Sequence, residues 1–224
     1  MKLLAIDTAF EACSVAVVAD VLRESVTITE IVGRGHAERL FGMIEATMNE
    51  AGIGFADLDR IAVTIGPGSF TGLRVGIAAA RGLALAVKCP VVGIGSLAVH
   101  AESARALAGP VPAVAVLDAR RDEIYGQRFA ADGTPDGEPE VGPAEHFAGI
   151  ARPGDVLAGA GADIVAGSMP SGRTPKIVHR LSAPDINALV RLALHAPETG
   201  ARPRPVYLRP PDAKPQAMKG VARQ

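Results

Sequence analysis

Tryptophan is absent from this 224-residue chain, tyrosine occurs twice and phenylalanine six times. A core without large rings must be built from Ala, Val, Ile and Leu, which fill space by bringing backbones close together. Cysteine is equally scarce. Cys13 and Cys89 both sit in apolar segments, and two thiols in a chain of this length make no disulfide framework, so buried free thiols are expected. Charge is nearly balanced, with 23 Lys and Arg against 24 Asp and Glu and a formal net charge of −1. No global field for nucleic acid follows, and any RNA role is indirect or local. No apolar run approaches membrane length. The N-terminus, Met1-Lys2-Leu3-Leu4-Ala5-Ile6-Asp7, meets an acid after four apolar residues, too few for the hydrophobic region of a secretion signal. A cytoplasmic location is expected.

Catalytic signatures are missing as well. The five histidines, His36, His100, His146, His179 and His195, include no two that stand three to five residues apart, so a helical metal pair is not encoded. No G-x-S-x-G elbow occurs. What the chain has instead is a 48% share of hydrophobic residues and 25 glycines, the composition of a core-forming globular protein. At 23.0 kDa it holds one ordinary domain or two small lobes, and two lobes are expected.

The most informative glycines lie in Ile61-Ala-Val-Thr-Ile-Gly66-Pro67-Gly68-Ser69-Phe70-Thr71-Gly72-Leu73-Arg74. An apolar strand enters a glycine-dense loop that opens a small-residue helix, and such a loop wants an anion or another backbone. Ser69 and Thr71 are candidate caps for the helix. The spacing fits neither common nucleotide fingerprint, because Thr71 stands where a Rossmann loop needs its third glycine and no Gly-Lys-Ser/Thr follows.

Strands are expected at 2–6, 13–19 and 25–32, the first two joined as a hairpin with Asp7 at its tip. Apolar residues at Leu40, Met43, Ile44, Thr47 and Met48, with Gly52 as a stop, predict an amphipathic helix over 36–51. Strand 61–65, helix 73–88, strand 91–94 and helix 96–107 follow. Gly109-Pro110-Val-Pro112 reads as a hinge. Beyond it the opening recurs: Ala113–Leu117 is an apolar strand ending in Asp118, followed by strand 123–130. Asp132-Gly-Thr-Pro-Asp-Gly-Glu-Pro reads as a polar turn, 155–158 and 176–179 as strands, and 184–195 as a helix. Strands alternating with helices imply an α/β protein with mixed sheets. The repeated strand, Asp, turn, strand pattern implies duplication of one unit, with lobes at 1–108 and 109–200 and a Pro/basic-rich tail at 201–224 that is loose from about Asp212.

Asp7 at a hairpin tip is placed to orient a metal-bound water near a phosphate, or to bond its own turn. A phosphate-facing loop would use Asp7, Thr8, Gly66, Gly68, Ser69 and Thr71. Asp118 holds the equivalent place in the second half but precedes Arg120 and Arg121, which points to a local pairing. Gly159-Ala-Gly161 after an apolar strand is either a second phosphate turn or a tight strand-to-helix turn. The helix after the glycine loop carries Gly76, Ala78, Ala79, Ala80, Gly82 and Ala84, a surface another helix can approach closely.

Ala5-Ile6-Asp7-Thr8 with Ser14-Val15-Ala16, His36-Ala-Glu38-Arg39-Leu40, the Gly66–Arg74 block, Asp118-Ala-Arg120 with Glu123-Ile-Tyr125, and Pro205-Val-Tyr207-Leu208-Arg209 resemble the bacterial TsaB (YeaZ) family over nearly the whole chain. The resemblance implies two related lobes of the actin-like, Hsp70-like ATPase (ASKHA) fold, each opening with a β-hairpin and a mixed sheet covered by helices. It also implies a place in synthesis of threonylcarbamoyladenosine (t6A) at tRNA adenosine 37. In that family the chain is a non-catalytic partner of the TsaD relative, which transfers the threonylcarbamoyl group, with TsaE as the associated ATPase. No catalytic or metal residue is then expected here, and no cofactor of its own; ATP and Mg belong to the assembled complex. Helices 36–51 and 73–88 would meet the TsaD relative through Leu40, Met43, Ile44, Thr47, Gly76, Ala79, Ala80 and Leu83. A homodimer would use the same helices in isolation, and tRNA would be reached only through the complex, with no membrane involved. Two alternatives stay open: an independent actin-like ATPase or kinase, and the glycopeptidase-like metallopeptidase of the family's older label, for which no residues are found.

Overall fold

A computed structural model describes residues 1–209 apart from Val21, Arg23, Ser171, Arg173, Thr174 and Thr199. The loose end expected from Asp212 and the basic stretch Lys214–Arg223 lie outside the described residues.

The first half runs β1 (Leu3–Asp7), β2 (Ala12–Val18), β3 (Val26–Ile31), α1 (His36–Ala51), β4 (Arg60–Gly66), α2 (Phe70–Val87), β5 (Val91–Gly95) and α3 (Ser96–Ala108). Its sheet has the order β3-β2-β1-β4-β5. The first three strands are antiparallel neighbours, and β4 and β5 add in parallel to β1. Every residue of β1 and β2 is buried, since both faces of this sheet are covered. Leu4, Ile6, Val15 and Val17 face α1 and α2, whose apolar stripes supply Leu40, Met43, Ile44, Leu73 and Ile77. α2 is the described helix long and apolar enough, at a mean hydropathy of 1.4 over 18 residues, to cross a membrane by composition. The expectation that no apolar run has that length is corrected: Arg74 and Arg81 interrupt the run in the sequence, but seven residues apart they share one exposed side of the helix, while another side packs on β4.

The second half repeats the first: β6 (Ala113–Arg120), β7 (Glu123–Phe129), β8 (Pro135–Gly142), α4 (Ala144–Ile150), β9 (Val156–Ala158), α5 (Ala162–Gly167), β10 (Lys176–His179) and α6 (Ile186–His195). Its sheet order is β8-β7-β6-β9-β10, the same order when counted from its own first strand. Where a polar turn was expected over 132–139, the chain turns at 132–134 and then forms β8. This strand is an exposed edge holding Pro135, Gly137 and Pro139, so it lacks the alternation by which a half-buried strand is recognised.

The two halves exchange their last helices. α6 covers the face of the first sheet opposite α1 and α2, seating Ala188, Leu189 and Ala193 on Leu3, Ala5, Ala16 and Ala62. α3 covers the second sheet in the same way, seating Leu97, Ala101 and Ala104 on Ala113, Ala115, Leu117 and Ala158. Small residues make both contacts possible: Ala5 is in register with Ala16 and with Ala62, and Ala115 with Ala158, so each helix meets a shallow alanine floor. Arg60 fixes the C-terminal end of α6 by donating from Nη1 to the carbonyls of Ala193 and Ala196, at 2.5 and 2.9 Å, where a cation also favours the helix dipole. Helix packing thus crosses the linear division at 108.

Candidate functional site

β1 ends at Asp7, whose Oδ1 accepts from Ala9 N at 2.9 Å and from Thr64 Oγ1 at 2.7 Å. Burial raises this carboxyl above the usual carboxylate range, opposed by the two hydrogen bonds and by the nearby His36. Thr8 Oγ1 donates to Gly72 O at 2.8 Å, and Ser69 N donates to Ala9 O at 2.6 Å. Ser69 caps α2, its Oγ accepting from Gly72 N at 3.3 Å.

The glycines of the loop have an occupant. A Cβ on Gly68 would stand 2.5 Å from Ala9 O, one on Gly72 2.0 Å from Thr8 O, and one on Gly76 2.3 Å from Thr8 Oγ1. The β1–β2 turn lies directly on the loop and on the first turns of α2. Gly66, at φ 110°, is covered from the other side by the Val206 carbonyl, 2.8 Å from where its Cβ would be. Of the residues expected to face phosphate, Asp7, Thr8, Gly66 and Gly68 are brought together but are packed against the chain's own backbone. Ser69 and Thr71 stand exposed at the start of α2. In the second lobe Asp118 Oδ1 accepts from the main-chain amide of Arg120 at 2.6 Å, where a pairing with an arginine side chain was expected. Gly159 and Gly161 form a tight strand-to-helix turn: a Cβ on Gly159 would stand 2.3 Å from Val116 O, and Gly161 N donates to that carbonyl at 3.0 Å.

The residues expected to meet a partner lie mostly inside the first lobe. Leu40, Met43, Ile44, Thr47, Gly76, Ala79 and Ala80 are buried inside the first lobe, and Leu83 is half-buried against the same core. They form the stripe by which α1 and α2 grip their own sheet. The side left open on these helices carries Phe41, 57% exposed, and Leu85, 78% exposed, with Gly42, Ala46, Ala78, Gly82 and Ala86. Gly42 and Gly82 would each accept a Cβ with nothing within 4 Å.

His100 on α3 and His179 at the end of β10 stack with ring centroids 5.3 Å apart, and Phe10 of the β1–β2 turn meets His100 edge-on at 6.2 Å. Seventy-nine residues separate the two imidazoles, so no spacing rule finds them. Burial, and secondly the charge of His179, push His100 down to about 3, and burial lowers His179 too. The pair is neutral packing at the junction of the lobes. Among the described residues no group of three or more His, Cys, Asp or Glu is placed to hold a metal. Cys13 is a buried free thiol pushed up to about 11 by burial, and Cys89 is free and half-buried.

A histidine held below its unfolded pKa favours unfolding when protons are added. Its stabilisation is complete above pH 6.5 and is lost as pH falls from 6.5 toward about 3. Between pH 7.5 and 5.5 the His100 contribution should fall by about 1 kcal/mol, with His179 acting in the same direction and the raised Asp7 in the opposite one. Urea unfolding at the two pH values checks this: His100→Leu should flatten the dependence, and an unchanged slope would show that the ring is not kept dry.

Two sheets of one repeated strand order, each carrying the same succession of three antiparallel strands and alternating helices, define the actin-like ATPase (ASKHA) fold class. A family model described as "TsaD: tRNA N6-adenosine threonylcarbamoyltransferase" matches residues 21–144. Proteins called tRNA threonylcarbamoyladenosine biosynthesis protein TsaB are similar to this chain: that of Escherichia coli is 38% identical over 59% of this chain and 56% of its own length, that of Haemophilus influenzae 41% over 56% and 52%. The chain thus spans about half the length of these curated relatives. The solved structure of YeaZ from Pseudomonas aeruginosa superimposes with a TM-score of 0.79 at 34% identity, over 92% of this chain and 99% of that one. The chain belongs to the TsaB (YeaZ) family.

Proposed function

We propose that this chain is a non-catalytic accessory subunit of t6A synthesis, which binds and activates a TsaD-type transferase and helps to recruit a TsaE-type ATPase. The observation that carries the reading is the β1–β2 turn seated on Gly68, Gly72 and Gly76, where a nucleotide-using relative of this fold would need room for phosphate. A chain whose phosphate loop grips its own backbone is suited to hold a partner rather than to turn over ATP. The match of a TsaD model to more than half of this chain supports a partner of related fold, because two related lobes can pair helix to helix by a shared approximate twofold. The open side of α1 and α2 offers that contact. Its exposed Phe41 and Leu85 supply apolar anchors, and Gly42, Ala46, Ala78 and Gly82 leave room for a facing helix. Activation follows if the partner's active conformation binds this face better than its inactive one. In isolation, a second copy of the chain is the natural occupant.

The test is reconstitution from ATP, Mg, threonine, bicarbonate, the enzyme that makes threonylcarbamoyl-adenylate, and the TsaD and TsaE proteins, with tRNA nucleosides read by mass spectrometry. Product should appear only when this chain is present, and the chain alone should make none. Undiminished product without it would overturn the reading and return weight to an independent ATPase.

A further inference from the structure

Residues 203–209 belong to neither lobe's sheet and touch both lobes. Pro203 lies over Gly93 of β5, its Cβ 3.2 Å from where a Cβ there would stand. Val206 N donates to Ile65 O of β4 at 2.7 Å, and its carbonyl covers Gly66. The Tyr207 ring then packs on Phe70 at the start of α2, centroids 5.3 Å apart, and its hydroxyl accepts from Arg74 Nε at 3.1 Å. The Arg74 guanidinium lies 3.7 Å from the centroid of the same Phe70 ring. Two residues later the chain has reached the second lobe. Arg209 donates from Nη1 to Ala119 O at 3.0 Å and from Nη2 to Arg120 O at 3.4 Å, and pairs with Glu123.

The carbonyls held by Arg209 open the β6–β7 turn, where Arg120, Arg121 and Asp122 have φ of 63°, 56° and 59° in succession. Left-handed conformations are costly for a non-glycine residue, so three in a row persist only where neighbouring groups hold them. The side of Asp118 that meets Arg120 N holds the turn from within, and Arg209 holds it from outside.

We propose that residues 203–209 are a latch coupling the two lobes, with Tyr207 caught between Phe70 and Arg74 on α2 and Arg209 caught on Glu123 and the β6–β7 turn. α2 also carries Ala78, Gly82 and Leu85 of the open helical face, so an event on that helix is transmitted along the strap to the second lobe. The coupling is reciprocal: whatever loosens the β6–β7 turn also loosens the first turn of α2. The latch itself does not depend on which partner α2 meets, and its test is separate from the tRNA assay.

Hydrogen exchange on the full chain, read residue by residue, tests it. Arg209→Ala should speed exchange at least 10-fold at the Val206 amide, in the first lobe, as well as at Glu123 and Ile124. Tyr207→Ala should do the same at Glu123 and Ile124, in the second lobe. Glu123→Gln, which leaves the strap itself intact, should reproduce the effect on Val206 to a smaller extent. Amides of β1 and β4 should not change in any of the three. Faster exchange confined to the mutated end would show two independent surface contacts and overturn the latch, and so would a rise spread evenly through β1 and β4.

Discussion

Gly72→Ala is expected to cost the protein about 3 kcal/mol of folding stability, a fall in Tm of roughly 6–12 °C for a chain of this size. The added methyl would lie 2.0 Å from the Thr8 carbonyl oxygen, and that oxygen is main chain, so no rotamer change relieves it. Moving α2 outward would break the Thr8 Oγ1 bond to Gly72 O and the Ser69 N bond to Ala9 O together. Moving the turn instead would pull Asp7 away from Thr64 and leave a buried carboxyl with fewer donors. Gly82→Ala on the same helix is the control. Nothing lies within 4 Å of its Cβ position, and alanine is favoured over glycine inside a helix by about 0.5–1 kcal/mol, so this variant should be more stable than the parent. Urea or thermal unfolding of the two side by side decides the matter. If Gly72→Ala lay within 1 kcal/mol of the parent, the contact between the turn and the loop would not be the reason for that glycine.

This contrast also marks what was legible beforehand. That the Gly66–Gly72 loop demands close approach follows from the residues alone; what approaches does not, because Thr8 and Ala9 lie about sixty positions away. The duplication was visible in Asp7 and Asp118, each following an apolar run and preceding a second strand, although β6 continues past Asp118 to Arg120, and the repeated sheet order carries that pattern into three dimensions. The exchange of α3 and α6 was not visible, since an apolar helical stripe records that a helix is covered and not by which sheet. β8 was hidden by its own edge position. His100 and His179 meet only because α3 crosses to the second sheet. The burial of the expected partner residues has a related reason: Leu40, Met43, Ile44 and Thr47 are spaced to cover one face, and a regular stripe on a helix of this length is first of all the helix's grip on its own lobe. A proposed docking face has to be read from the apolar residues that fall out of step with that stripe, and in these helices Phe41 and Leu85 do.

Those two residues carry the second large effect. Phe41→Glu with Leu85→Glu should change the stability of the isolated chain by no more than about 1 kcal/mol, because both side chains are more than half exposed. The same pair should weaken association with a TsaD-type partner by at least about 100-fold, as expected when central anchors of an interface worth ~2 kcal/mol or more each are replaced by charges that must be desolvated. Titration by calorimetry or fluorescence anisotropy measures the affinity, and t6A formed per chain should fall in step with it. The substitutions Ala79→Glu and Met43→Arg would be uninformative here, since both sites are buried and the lobe itself would fail. Gly82→Ala separates the two roles of α2 most sharply: a methyl that stabilises the lone chain, yet occupies the space left for a facing helix, should raise Tm and weaken binding at once. If Gly82→Ala and the double glutamate variant both bind and support modification like the parent, the open side of α1 and α2 is not where the partner sits. In that case its exposed glycines have no explanation in the monomer either, because nothing in the lobe requires them.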